Sequence, residues 1–389
     1  MPFTAQDPLS LDDSLDTAER TIRDNVAAFC RNEIAPHITQ WFEHGNPPVP
    51  ELATQLGELG VFGMHLDGYG CAGTNAVSYG LACMELEACD SGIRSLVSVQ
   101  GSLAMYAIWR YGSHTQKQQW LPDMAAGRAI GCFGLTEPDH GSDPSAMTTT
   151  ATKNGDDWIL NGRKTWITNG CAAKIAIVWA ATPQGVQGFA VPTDTPGFST
   201  HPITRKMSLR ASVTSELVLD NVRLPADAAL PDATGLKTAL ACLNEARYGI
   251  IWGSIGAARS SLDTAREYAS TRTQFDRPIA GFQLTQNKLV DMTLKVHNGL
   301  LLALHLGRLK DNQQLTPHQV SYGKLNNTRD AIDVCRQART ILGANGVSLD
   351  YDVIRHANNL ESVLTYEGTA EMHTLILGQG LTGHNAFRG

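Results

Sequence analysis

The chain has 389 residues, enough for two or three domains around a large core, and its 42% apolar and 18% charged content excludes a disordered or fibrous protein. Its 31 basic and 38 acidic residues leave a net charge of −7; with no basic patch and no apolar run near the roughly 18 residues of a membrane span, neither nucleic acid binding nor membrane insertion is expected. The opening MPFTAQDPLSLDDSLD carries neither a secretory signal nor an Arg-rich transit pattern, so a cytoplasmic protein of bacterial type is expected, or an organelle protein whose address has already been removed. Eight cysteines without a C-x-x-C pair read as free buried thiols, and no metal site is expected.

From Leu15 to about Leu121 the apolar spacing is helical, with Ala18, Ile22, Val26 and Phe29 on one stripe and Val77, Leu81, Met84 and Ala88 on another. Between about Ile130 and Leu224 it shortens into β-branched pieces such as Lys174–Ala181 and Gly188–Val191. The turn formers Asn154-Gly155, Asn161-Gly162 and Pro196-Gly197 separate them, and an antiparallel sheet or barrel is expected. Helical spacing returns over Leu236–Ala269, Gln283–Asn312 and His318–Leu342, with a last helix after Gly368; helices of that length pack economically as an antiparallel bundle. The fold class is therefore α+β, with a helical domain over 1–128, a β domain over 129–230 and a helical bundle over 231–389.

Gly68, Gly70 and Gly73 match the G-x-G-x-x-G dinucleotide fingerprint, but VFGMHL ahead of them is a poor strand and no strand–helix alternation follows, so a glycine-rich helix connection is expected. In FGLTEPDHGSD a short strand runs into a loop whose Thr136, Gly141 and Ser142 would let backbone and hydroxyl donors approach an anion; a solvated loop would look the same. Trp166 and Thr168, two apart in a predicted strand, would project from one face as a seat for a planar heterocycle, or support the sheet. Arg272, between two long helices, suits a diphosphate clamp or an exposed loop. Arg94 and Ser98, four apart on a helix, suit a carboxylate fork or a polar surface. Glu367, between Tyr366 and Gly368, either enters an apolar cleft or is a solvated charge before a helix capped by Thr369; taken alone, the residues favour the second.

Together DSGIRS, GLTEPDHGSDPSAM, GRKTWITNG, LNEARYGIIWG, RTQFDRPIAGFQLTQ and TYEGTAEMHTLILG resemble, in order, the acyl-CoA dehydrogenase family, and within it the glutaryl-CoA-oxidising branch, from about Leu11 to the C-terminus. The resemblance implies bound FAD, an acyl-CoA substrate, an electron-transfer flavoprotein as electron acceptor and a homotetramer. It matches Glu367 to the catalytic base, and Arg94, Ser95 and Ser98 to positions near the distal carboxylate of glutaryl-CoA. It adds Arg247, in LNEARYGIIWG, to the substrate-binding set, and matches Glu87 and Tyr366 to positions that decarboxylating members keep polar. Thr136, Ser142, Trp166 and Thr168 match flavin or phosphate contacts, and Thr369 and Glu371 touch FAD from the last helix. Arg272, Gln274, Phe275 and Gln283 match residues that reach a neighbouring subunit's FAD. Ile93 stands where the branch has Tyr, and Ala344 and Gln379-Gly380 also depart from the pattern.

Removing hydrogen from the α and β carbons of an acyl thioester needs a base on one face and a hydride acceptor on the other, roles the resemblance gives to Glu367 and FAD. In the family the thioester oxygen is met by the backbone N–H at the glutamate position and by a flavin ribityl hydroxyl. The expected reaction is oxidative decarboxylation of glutaryl-CoA to crotonyl-CoA and CO2. The alternatives are a short-chain acyl-CoA dehydrogenase, a non-decarboxylating relative, or a flavin- or acyl-CoA-binding protein without turnover.

Overall fold

Asp16 starts the first long helix: its carboxylate accepts the Glu19 N–H at 2.8 Å while Glu19 accepts the Asp16 N–H at 3.0 Å. The computed structural model describes residues 6–387, so the first five and last two residues, including part of the opening segment read for targeting and the outer ends of the expected domain spans, lie outside it. From the cap, α1 (Thr17–Phe29) passes through a π-turn at Cys30–Ile34 into α2 (Ala35–His44), whose Pro36 has no N–H to give to the preceding turn. Then come α3 (Val49–Glu58), α4 (Ala76–Cys89), α5 (Ser91–Ser98), α6 (Tyr106–Tyr111) and α7 (His114–Ala125). Gly68–Gly73 lies in the strand-free connection between α3 and α4, as the glycine-rich connection predicts. A second π segment, Val99–Met105, joins α5 to α6. From it buried Gln100 donates to the carbonyls of Met124 (2.9 Å) and Ala129 (2.8 Å) and accepts the Gly131 N–H (2.6 Å), tying helices to sheet.

The sheet contains β1 (Gly131–Gly134), β2 (Thr150–Asn154), β3 (Asp157–Thr168), β4 (Ile175–Thr182), β5 (Gly185–Pro192), β6 (Phe198–Pro202), β7 (Thr214–Leu224) and β8 (Ala229–Thr234). Their order is β6-β7-β3-β2-β4-β5-β8, with β1 also on β4. Most pairs are antiparallel, but β1 and β2 both pair parallel to β4, so the sheet is mixed rather than wholly antiparallel. Along β4, Ile175, Ile177 and Trp179 join the core shared with the helices, while Ala176, Val178 and Ala180 join a second core within the sheet region. The period-2 alternation thus serves two buried faces.

Two local expectations are corrected here. Asn161-Gly162 is not a turn but lies inside β3, at a register shift against β7. A Cβ at Gly162 would lie 2.4 Å from Thr149 Oγ1, so its glycine serves close approach rather than chain reversal. Trp166 and Thr168 are not related by simple alternation. An extra residue between Lys164 and Ile167, relative to Leu217 and Ser215 of β7, forms a bulge with Trp166 at φ 60°.

The last third holds α8 (Leu236–Thr271), a small hairpin of β9 (Thr273–Gln274) and β10 (Arg277–Pro278), α9 (Gln283–Asp311), α10 (Pro317–Ile341), α11 (Val353–Thr365) and α12 (Ala370–Thr382). Helix α11 was not expected. Its buried face mixes Val353, Leu360 and Val363 with Arg355, His356 and Asn359, which masks the apolar period. Two of those polar groups are spent on Asp90, whose carboxylate takes Arg355 at 2.6 Å and Asn359 at 2.8 Å. Helix α8 packs against α4 at Gly253, where a Cβ would sit 2.1 Å from Glu87 Oε2. All eight cysteines are free; Cys171 is exposed and Cys71 and Cys89 half-buried, against the expectation that all would be buried. Among the described residues no helix is long and apolar enough to cross a membrane.

Candidate active site

Between the end of α11 at Thr365 and Thr369, whose hydroxyl caps α12 by accepting the Met372 N–H at 3.2 Å, the chain must reverse within three residues. It does so with Glu367 at φ 53° and Gly368 at φ 91°. A glutamate in the left-handed region costs roughly 1–2 kcal/mol. Two buried cations hold it there. Lys324 of α10 donates to the Tyr366 carbonyl and, at 2.6 Å, to the Gly368 carbonyl, and Arg247 of α8 donates through Nε to the Glu367 carbonyl at 2.7 Å. Arg247 is itself steadied by Asn244, whose Oδ1 accepts from Nη1 at 3.0 Å.

With its backbone gripped, Glu367 turns its carboxyl inward, where buried Oε2 has no hydrogen-bond partner among the described residues. Burial pushes its pKa up; Arg94, Lys324 and Arg247 oppose the rise and Glu87 adds to it. The solvated-charge reading of Glu367 is therefore overturned. Nearby His373 of α12 is driven by burial, and then by Lys324 and Arg247, down to about 3, so it is neutral at physiological pH.

Asp90 breaks α4 from α5 and caps the latter, accepting the Gly92 N–H at 2.6 Å. This sends Arg94 inward, where it is 1% exposed. Its Nε donates to Glu87 Oε2 at 2.6 Å and its Nη2 to the Tyr366 hydroxyl, which also lies 3.4 Å from the Ser95 hydroxyl. Burial works against the Arg94 charge, but Glu87 and Tyr366 outweigh it and hold the pKa well above the usual value. Only two of its five N–H groups are spent on these partners. Glu87 is fully buried and not a surface carboxylate, and Arg94 is not part of a polar surface. Ser98, one turn beyond Arg94, is buried with its hydroxyl unpartnered.

Tyr366, Glu367, Arg94, Ser95, Glu87 and Arg247 thus share one cluster, the first two half-buried and the other four buried. Sequence reasoning missed Lys324, although a lysine four residues from both Val320 and Thr328, on the buried stripe of α10, is the available signal. Burial lowers the Lys324 ammonium to about 7, with Glu367 opposing that fall. In their charged forms Arg94, Arg247 and Lys324 face the carboxylates of Glu87 and Glu367, an excess of one positive charge.

The second group of expected residues lies on the sheet and at the surface. The hydroxyls of Thr136, Ser142 and Thr168 make no hydrogen bond within the described residues, and Trp166 at the β3 bulge is 60% exposed. Beneath them a buried ion pair of Lys164 with Glu137 (2.9 Å), and a Thr165 N–H donated to the Thr136 carbonyl (2.9 Å), fix this loop to β3. Unspent donors beside an unburied indole fit a planar heterocycle carrying phosphates, as in FAD. Arg272, Gln274, Phe275 and Gln283 occupy the hairpin and the start of α9, all exposed, with Phe275 88% exposed. Glu371 is exposed in the first turn of α12; the helix N-terminus and the Thr369 hydroxyl lower its carboxyl.

A helical layer, a mixed sheet and a helical bundle, with a glutamate held before the last helix, have the make-up of a flavin-dependent acyl-thioester oxidoreductase. The chain belongs to the acyl-CoA dehydrogenase family: the N-terminal, middle and C-terminal domain models match residues 16–128, 132–222 and 233–382. It is similar to a glutaryl-CoA dehydrogenase from Mycobacterium smegmatis, with 65% identity, TM-score 0.98 and full coverage of both chains. A second M. smegmatis glutaryl-CoA dehydrogenase, in complex with FADH2, is 60% identical with TM-score 0.98, again over the whole of both chains. The mitochondrial short-chain specific acyl-CoA dehydrogenase of Bos taurus is 33% identical over 93% of this chain and 90% of that protein.

Proposed function

We propose that this chain oxidises and decarboxylates glutaryl-CoA, giving crotonyl-CoA and CO2, with FAD as its cofactor. The observation that carries the reading is the unpartnered Glu367 carboxyl oxygen in one cluster with an Arg94 guanidinium that still has free donors. A buried guanidinium with unspent donors suits a substrate with one carboxylate beyond its thioester, because a buried charge is tolerated when paired. Butyryl-CoA would leave those donors unmatched, which favours glutaryl-CoA over a short-chain substrate.

In this reading Thr136, Ser142, Trp166, Thr168, Thr369 and Glu371 would hold FAD, which would supply the acceptor for the β hydrogen as hydride. Glu367 takes the α proton, and its raised pKa matches it to that task. Arg94 pairs with the distal carboxylate, with Ser95, Ser98, Glu87 and Tyr366 setting the strength of that hold. In the second step the bond to the carboxylate breaks, CO2 leaves, and the electron pair moves through the unsaturated chain toward the thioester oxygen. Protonated Glu367 then returns its proton at the γ carbon to give crotonyl-CoA. Arg247 and Lys324 keep the Glu367 backbone still through both steps.

The proposal includes three domains over 1–128, 129–230 and 231–389, a cytoplasmic location, and an electron-transfer flavoprotein that takes up the electrons. It also includes a homotetramer in which Arg272, Gln274, Phe275 and Gln283 reach the FAD of another subunit. Exposed Phe275 and Leu284 (88% and 81%) support such a contact, since large apolar side chains at a surface favour a partner.

The test is incubation of the FAD-loaded protein with glutaryl-CoA and an artificial electron acceptor, following CO2 and acyl-CoA products. Equal yields of CO2 and crotonyl-CoA are expected. Glutaconyl-CoA accumulating without CO2 would establish a non-decarboxylating enzyme, and oxidation of butyryl-CoA alone a short-chain one.

A further inference from the structure

Three consecutive carbonyls, those of Tyr366, Glu367 and Gly368, each accept from a buried cation carried by another helix. Lys324 takes the first and third, Arg247 the second. Lys324 is 1% exposed, and both of its hydrogen bonds go to backbone carbonyls rather than to a carboxylate, with the centre of the Tyr366 ring 5.8 Å from its Nζ. An ion-pair role would have placed it on a carboxylate. Instead its charge is aimed at two peptide groups, one of which contains the Glu367 N–H.

In a trans peptide the C=O and N–H point in opposite directions. A cation on the Tyr366 carbonyl therefore turns the Glu367 N–H away from α10. It also draws electron density from the peptide, which makes that N–H a stronger donor. Among the described residues the Glu367 N–H donates to nothing, whereas the neighbouring Tyr366 N–H is spent on the Ser362 carbonyl at 2.8 Å. An unspent donor in the same residue as the unpartnered carboxyl oxygen is placed to meet the substrate whose proton that carboxyl removes.

We propose that Lys324 is a positioning residue for the thioester oxygen: by holding the Tyr366 and Gly368 carbonyls it aims and polarises the Glu367 N–H as an oxyanion donor. This rests on the reading of Glu367 as the base and extends it to α10. The charged or titratable groups facing Glu367 are Arg94 and Glu87 from α5 and α4, Arg247 from α8, Lys324 from α10, His373 from α12 and Tyr366 from its own loop. Arg247 holds the Glu367 carbonyl, which belongs to the next peptide, and so cannot replace Lys324 on the peptide that carries the Glu367 N–H.

The test uses FAD-loaded Lys324→Met and Lys324→Gln, the latter keeping a neutral donor, beside Glu367→Gln. Loss of an oxyanion donor typically lowers kcat ~10²–10³-fold. Lys324→Met is expected to lose about that much kcat, with FAD content kept and KM changed little, and Lys324→Gln to lose less. The thioester carbonyl stretch of bound crotonyl-CoA, labelled with ¹³C at the carbonyl, should move toward its free-solution value in Lys324→Met; a lysine that only supported folding would leave it unmoved. If Lys324→Met fails to fold, the same two readouts on Lys324→Gln decide. An unshifted stretch, or a kcat within about threefold of the unmodified enzyme, overturns the proposal. Near-normal turnover by Glu367→Gln would overturn the reading of the base itself, so the two failures are told apart.

Discussion

Arg94 Nε lies 2.6 Å from Glu87 Oε2 with neither side chain more than 1% exposed, and the Tyr366 hydroxyl accepts from the same guanidinium. The pair lies against Gly253 of α8, where any Cβ would collide with the Glu87 carboxylate. A buried pair of this kind is held as a unit, and its worth is seen when one partner is removed.

Arg94→Ala leaves the Glu87 carboxylate buried without its cation, which should cost about 3–5 kcal/mol of stability. The specificity effect is expected to be larger than the general one: kcat/KM for glutaryl-CoA should fall at least ~10²-fold, and that for butyryl-CoA much less, because only the former brings a second charge. Denaturant unfolding and steady-state kinetics on both substrates check this. Equal losses on the two substrates would make Arg94 a purely structural residue.

Glu367→Gln keeps the shape of the side chain and removes the base. A general base typically contributes ~10²–10⁴-fold. Turnover should fall by at least that range while the protein stays yellow with FAD, which absorbance and single-turnover flavin bleaching measure together.

The acid limb of the kcat/KM profile reports the same carboxyl in the free enzyme. Burial raises the Glu367 pKa, so activity should rise with pH through a value above that of an ordinary carboxylate. Arg247, third after Arg94 and Lys324 among the cations that oppose the rise, offers a control. In Arg247→Gln the limb should move to higher pH, and a limb that stays in place would mean that another group controls it.

Decarboxylation should respond to the polar groups around Arg94. In Tyr366→Val or Glu87→Ser the yield of CO2 per glutaryl-CoA oxidised is expected to drop below the equal yield of the unmodified enzyme, with glutaconyl-CoA making up the difference. Product analysis by mass spectrometry reads both. Undiminished CO2 in both variants would separate the Arg94 contacts from the second step.

Stability should fall in acid for a reason outside the active site. His65 packs tilted against Tyr79 with ring centroids 4.4 Å apart, and neither of its buried ring nitrogens has a partner among the described residues. Burial lowers its pKa from 6.5 to about 4. Between those values the unfolded chain binds the proton and the folded chain does not, so this contribution is present above 6.5 and is lost as pH falls toward 4. The melting temperature should fall over that window, and His65→Gln, which has no charge to gain, should flatten the slope.

The succession of helices, sheet and helices was determined by the sequence alone, because it rests on local regularities: apolar spacing, turn formers, and caps such as Asp16 and Thr369. The same local signals could not separate Glu367 as a base from Glu367 as a solvated charge; the family motifs named it, but its chemistry depends on neighbours far along the chain. Lys324 from α10, Arg247 from α8, and Arg94 and Glu87 from α5 and α4 meet it only once the helices pack. Spacing also failed at Trp166, where one extra residue in β3 changed its setting, and at α11, where polar residues paired with Asp90 replaced the apolar stripe. Burial and long-range electrostatics depend on which distant segments touch, and only the tertiary structure decides that.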